Sequence, residues 1–96
     1  MQKTERKPLF DLGQLVATPG ALAALEKARQ PPQEFLSRHV RGEWGDLCEE
    51  DQRENAFSLE RGFRLLSSYR TSMGAKLYVI TEADRSVTTI LLPEEY

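Results

Sequence analysis

The run His39-Val40-Arg41-Gly42-Glu43-Trp44-Gly45-Asp46-Leu47, with Cys48 directly after it, gathers the residue types best suited to chemistry in this chain. It holds the single histidine and the single tryptophan, beside the single cysteine. An imidazole near a thiol is the minimum for a nucleophile and its base. Here Glu49, Glu50 and Asp51 follow the cysteine and oppose a thiolate, and no third group orients the pair. The expected role of Cys48 is therefore that of a small residue near a helix cap. Zinc wants three or four ligands at compatible spacing, and His39, Glu43 and Cys48 are the only nearby set, with no paired Cys-x-x-Cys. The stretch Glu43 to Glu54 lacks the alternating oxygen ligands and central glycine of a calcium loop. Gly42 and Gly45 are too sparse for a phosphate loop, and no Gly-Lys-Ser/Thr follows them. These patterns predict no metal, no nucleotide or other cofactor and no catalytic residue.

What the cluster does suit is contact. A histidine and an indole on a glycine-flanked loop suit recognition, because loops carry binding groups that rigid elements position. His39, Arg41 and Trp44 are the candidate interaction residues on this basis. The competing expectation is that Trp44 plugs the gap between helices and sheet, with His39 half buried beside it, since a small core leans on its one large ring.

Charge supplies the remaining candidates. The formal net charge is −2, so the whole-molecule field gives no attraction to nucleic acid or anionic lipid. From Glu43 to Glu60 there are seven acids against Arg53. From Arg61 to Lys76 there is no acid at all, while Arg64 and Arg70 fall on one strand face together with Leu66 and Ser68. Such a face suits a protein interface. Its alternative reading is a phosphate-contacting surface formed by Arg64, Arg70, Lys76 and a basic N-terminal arm.

These residues must be held by elements that 96 residues can build. Size scaling for a chain of this length buries roughly 65% of the unfolded surface, enough for one core and a single domain. Several βαβ units of about 30 residues each do not fit, which excludes nucleotide-binding α/β enzymes. Residues 1–8 read as a polar arm, and 9–96 as the domain. Leu9, Phe10, Leu12, Leu15 and Val16 follow the arm, with an extended segment admissible from about Gln14 to Ala17.

Thr18-Pro19 predicts a helix start, with Ala21, Leu22, Ala24, Leu25 and Ala28 forming its stripe and Pro31-Pro32 stopping it. Pro32 opens a second helix with Phe35, Leu36, His39 and Val40 on one side. A third runs from about Glu49 to Arg61, acidic at its start, with Gly62 as C-terminal cap and Ala56, Phe57, Leu59 and Phe63 as its buried side. From Phe63 the period becomes two. Strands are expected over Phe63–Arg70, Lys76–Glu82 and Val87–Leu92, the middle one central because it is apolar on both faces. The expected fold is α+β: a helical N-terminal half of three short helices packed on a C-terminal three-stranded antiparallel meander with two unpaired edges.

Long stretches of the chain resemble a family of small bacterial proteins found on plasmids and integrative elements. The stretches are Leu12 to Leu22, His39 to Leu47, Glu50-Asp51 with Asn55, Ile80 to Ser86, and Thr89 to Tyr96. Members of that family often carry the label of a type I restriction enzyme modification subunit. The residues here contradict that label, because the chain has neither an Asn-Pro-Pro-aromatic motif nor a glycine-rich cofactor loop; Pro31-Pro32 stands between Gln30 and Gln33. Cys48 departs from the polar or acidic cap expected at its position. The resemblance implies a mobile-element accessory protein.

Together these readings predict a non-enzymatic interaction protein of a bacterial mobile element that binds a protein partner, with a second copy of itself as one candidate. A nucleic-acid-binding regulator is the alternative. A toxin-like nuclease using His39 with Arg38 or Arg41 is a third reading. One cysteine cannot form an internal disulfide, the N-terminus lacks an apolar signal region, and no apolar run approaches a membrane span, so the expected location is the cytoplasm, away from membrane.

Overall fold

Thr18 shows how closely the local signals are obeyed. Its extended backbone (φ −72°, ψ 159°) ends a strand, its hydroxyl accepts from the Ala21 amide at 3.1 Å, and Pro19 takes the first helical position. The computed structural model describes residues 7–96. The elements are β1 (Gln14–Ala17), α1 (Pro19–Ala28), α2 (Pro32–Val40), α3 (Glu49–Arg61), β2 (Leu65–Arg70), β3 (Lys76–Thr81) and β4 (Val87–Leu91), then a 3-10 turn at Pro93–Glu95. Of the arm expected over 1–8, residues 1–6 lie outside the described residues.

All three helices fall where their caps predict. Arg29, left-handed at φ 57°, closes α1. Gly62, at φ 77°, closes α3 by donating its amide to the Ser58 carbonyl. Replacing Thr18 by alanine removes the α1 cap together with the hydroxyl's bond to the Glu95 carboxylate. We expect a loss of about 1 kcal/mol in urea unfolding, the usual cost of deleting an N-cap side chain.

The class is α+β, but the architecture corrects the expected meander. Among the described residues the sheet has four strands in the order β1-β4-β3-β2, and it is mixed. β2–β3 and β3–β4 pair antiparallel, whereas β1 lies parallel beside β4, with Leu15 opposite Thr88 and Ala17 opposite Ile90. The chain thus enters the sheet before its helices, and three helices fill the crossover to β2 instead of forming a separate N-terminal half. The parallel neighbours β1 and β4 are joined through three helices, β2 and β3, in keeping with the long connection that a parallel pair needs. Because β1 occupies the far side of β4, both β3 and β4 are interior.

The core lies between this sheet and the first two helices. Ala21 and Leu25 of α1 and Phe35 and Leu36 of α2 pack on Tyr69, Leu77, Val79 and Ile90. The period of two puts Leu65, Ser67 and Tyr69 of β2 on this face.

α3 is the second correction. The residues it buries are Asn55 and Ser58, while Ala56, Phe57 and Phe63, expected inside, are exposed. This helix lies along the outer side of β2 and meets backbone there. Asn55 Nδ2 donates to the Leu66 carbonyl at 2.6 Å, and its Oδ1 accepts from the Leu66 N–H at 3.2 Å. Further along the strand, Ser68 donates to Trp44 O and accepts from the Asp46 amide, so Gly45 runs beside it as a parallel bridge. Gly45 is required for this approach. It sits at φ 80°, and a Cβ there would overlap the Ser68 carbonyl oxygen. The β2 edge, expected to be open, is therefore covered at Leu66 and Ser68.

Candidate functional site

His39 ends the buried stripe of α2 and is fully enclosed, not half buried. Phe10 meets its ring edge-on at 5.2 Å, and Trp44 does so at 5.6 Å from another side. Both ring nitrogens reach hydroxyls on the sheet: Nδ1 to Ser67 of β2, and Nε2 to Thr81 of β3 at 2.9 Å. Thr81 continues to Thr88 of β4 at 2.7 Å, and Thr88 donates to the Leu12 carbonyl at 2.7 Å.

The far end of this chain fixes the imidazole tautomer. A carbonyl only accepts, so the Thr88 proton is spent on Leu12. Thr81 must then donate to Thr88, which leaves its oxygen to accept from His39. Nε2 therefore carries the proton, and Nδ1 is the bare acceptor of the Ser67 hydroxyl. Every link is satisfied by the neutral ring. Burial, together with the nearby Arg85 cation, pushes the His39 pKa down to about 3.

The ring is thus a structural brace between α2 and three strands. Neither nitrogen is directed at Cys48, which is exposed at the start of α3. Trp44, also buried, closes the same pocket and stacks on Phe10 at 6.3 Å. The indole is packed against the rings of Phe10 and His39 at the end of α2.

The basic candidates are partnered. Arg64 reaches Glu82 at 3.5 Å and the Tyr96 hydroxyl at 3.2 Å. Arg70 lies 3.9 Å from Asp46, and its guanidinium donates to the Gly74 carbonyl. Arg41 lies 3.3 Å from Glu43; Arg38 is 3.9 Å from that carboxylate and stacks over the Tyr69 ring at 4.5 Å. Acids from the negative stretch thus serve as counter-ions to Arg38, Arg41 and Arg70. Such pairs at the surface contribute at most about 1 kcal/mol each, and they place a carboxylate beside both Arg64 and Arg70, whose side chains stay more than half exposed. Tyr69 is held by its hydroxyl, which donates to the Glu43 carbonyl, and burial raises its pKa to about 12.

Arg85 plays a comparable internal part. Held at φ 61°, it donates to the carbonyls of Phe63, Glu82, Ala83 and Ser58, which ties the β3–β4 turn to the end of α3. Among the described residues no group of three His, Cys, Asp or Glu side chains is placed to hold a metal ion, and no helix is long and apolar enough to cross a membrane.

The open surface lies elsewhere, along β1. Leu15 is 51% exposed and Val16 42%, both large for apolar strand residues. Between β1 and α2 runs an apolar trough. One part, about 200 Å³, is walled by Ala17, Pro32, Leu36 and Ile90, and a second, about 230 Å³, by Leu12, Ser37 and Val40; Leu15, Gln33 and Leu36 line both. No charged side chain lines either part. Among the described residues the backbone beside the trough is also free. Gln14 and Thr18 donate to Ser86 and Ile90 across the β1–β4 ladder. Alternate residues of a strand point their peptide groups to opposite sides, so Leu15 and Ala17 turn N–H and C=O away from β4. The described residues place no backbone partner against them.

The sequence reading missed this surface. Its signal was the spacing of Leu12, Leu15 and Val16 ahead of a helix-capping Thr-Pro, which gives an apolar strand too short to bury itself. Comparison with known protein families, with curated proteins and with solved structures finds no match to the chain.

Proposed function

We propose that the chain is a non-enzymatic interaction protein that engages a protein partner along β1 and the trough beside α2. The observation that supports this most directly is the difference between the two sheet edges. Leu66 and Ser68 of β2 have their outward peptide groups taken by Asn55 and the Trp44–Asp46 segment, whereas among the described residues Leu15 and Ala17 of β1 have no backbone partner on their outer side, beside an uncharged groove. An exposed apolar edge strand is a template for a further strand, and folds normally blunt one that has no use.

The internal position of His39 and Trp44 supports a role for them in holding the domain, with contact left to β1. The resemblance of Leu12 to Leu22 and of the C-terminal stretches supports an accessory protein of a bacterial mobile element, acting in the cytoplasm. The test is a photo-crosslinking residue placed at position 15, with position 54 on the exposed side of α3 as control, in bacteria that carry the gene natively. A discrete adduct from position 15 that is absent from position 54 is the expected result. Adducts from neither position, or from position 54 alone, would overturn the reading.

A further inference from the structure

We infer that β1 pairs antiparallel with β1 of a second copy, about a two-fold axis at Val16, to form a reversible dimer with one continuous sheet. This rests on the reading of β1 as the contact surface and names its occupant.

The hydrogen-bonding pattern is self-complementary. With Val16 facing its own counterpart, Leu15 of one copy stands opposite Ala17 of the other, and the reverse. These are the residues whose N–H and C=O point outward, so each pair exchanges two bonds and the junction gains four. A one-residue shift would set inward-pointing groups against outward ones and lose them.

Side chains agree with that register. Leu15 and Ala17 share the face of Thr88 and Ile90, toward α2. In the paired sheet the half-exposed Leu15 of each copy stands over the other's Ala17, a small residue that forms one wall of the trough, and enters between Pro32 and Leu36. Large beside small, twice over, fills both grooves.

Charge permits the contact. Gln14-Leu15-Val16-Ala17 is uncharged, and so is the trough lining, so two copies of a chain with net charge −2 meet where neither brings like charge to the other. The area is small. Two four-residue strands and two leucines fall at the low end of specific interfaces, below about 1,200 Å² in total, the size class of weak, transient contacts.

The experiment is sedimentation equilibrium of the full chain from about 10 µM to about 1 mM, beside Leu15→Lys and Leu15→Pro. Proline at 15 removes only an outward N–H, so the β4 ladder survives. The wild-type chain is expected to shift toward the dimer mass, and both variants to stay monomeric with unchanged far-UV circular dichroism. A second measurement does not depend on affinity. Residues at the axis form a non-hydrogen-bonded pair with Cα atoms about 4.5 Å apart, within disulfide reach. Val16→Cys in a Cys48→Ser background should oxidise to a covalent dimer, and Glu54→Cys in the same background should not.

A wild-type chain that is monomeric at 1 mM, a dimer indifferent to both Leu15 substitutions, or no disulfide at position 16 would overturn the pairing. If the pairing fails while position 15 still crosslinks a different protein, the interaction reading survives without it. If position 15 crosslinks nothing, both fall.

Discussion

Lowering the pH from 6.5 toward 3 is expected to strip the domain of stability, with the loss beginning before the carboxylates titrate. His39 is neutral when folded, with a pKa pushed down to about 3 by burial and by the facing Arg85 cation; its other neighbours, Phe10, Trp44, Ser67 and Thr81, carry no charge. In the unfolded chain the ring takes a proton near pH 6.5. Below that value the unfolded state therefore binds more protons than the folded one, and stability falls with pH. It is fully present above 6.5 and lost progressively down to the folded pKa. The slope is about 1.4 kcal/mol per pH unit, and the whole interval amounts to about 5 kcal/mol. That is comparable to the total stability of many small domains.

The window between pH 6.5 and 5 isolates this residue. The two carboxyls whose folded values lie below their ordinary range, Asp84 with its Ser86 bonds and Glu95 with its Thr18 bond, contribute in the same direction only at lower pH. Urea unfolding at pH 7.5, 6.0 and 5.0 should show the wild-type chain losing about 1–2 kcal/mol across the range. His39→Gln should start lower and stay flat. A wild-type curve with no slope above pH 5 would mean that the imidazole is not buried neutral.

The second large effect is expected at Asn55. Its amide is the sole described partner of both the N–H and the C=O of Leu66, and it joins α3 to the β2 edge. Alanine deletes two hydrogen bonds and strands two backbone groups in a site that is closed to solvent on the side of the helix. Each stranded group costs about 1–3 kcal/mol, so a total loss of about 2–4 kcal/mol is expected. Hydrogen exchange locates the damage: the Leu66 amide should lose protection far more than Val79 in the sheet interior. Asn55→Asp sharpens the case, because a carboxylate can accept from the N–H but sets its second oxygen against the Leu66 carbonyl. It should be as damaging as alanine at pH 7. Equal protection of Leu66 in the wild-type chain and in Asn55→Ala would refute the clamp.

Asn55 also marks where the sequence stops being readable. Helix ends were legible because Thr18, Pro19, Pro32 and Gly62 act through backbone geometry within one turn. The buried side of α3 was not. Reading Phe57 and Phe63 inward assumes that a helix packs by its apolar side, and this one meets a strand edge, where amide and carbonyl groups need a polar partner. The short segment Gln14–Ala17 was visible as extended chain, but its place beside Val87–Ile90 depends on a register between residues more than 70 positions apart, which no local period encodes. Without it the three later strands read as a complete meander. The spatial pairing of charges was hidden for a related reason: acids and arginines that are separate along the chain, such as Asp46 and Arg70, become neighbours once the Trp44 loop lies along β2. His39 and Trp44, singled out in the sequence as candidate contact residues, are both buried, which composition and spacing did not show.

The closure of β2 by Asn55 and the Trp44–Asp46 segment has a consequence for how many copies can assemble. A sheet open at both sides can add strands without limit, and repeated head-to-tail addition makes fibres. Among the described residues Asn55 and the Trp44–Asp46 segment already occupy the β2 side, so the pairing proposed for β1 would use the side left open in each molecule, and assembly of that kind would stop at two.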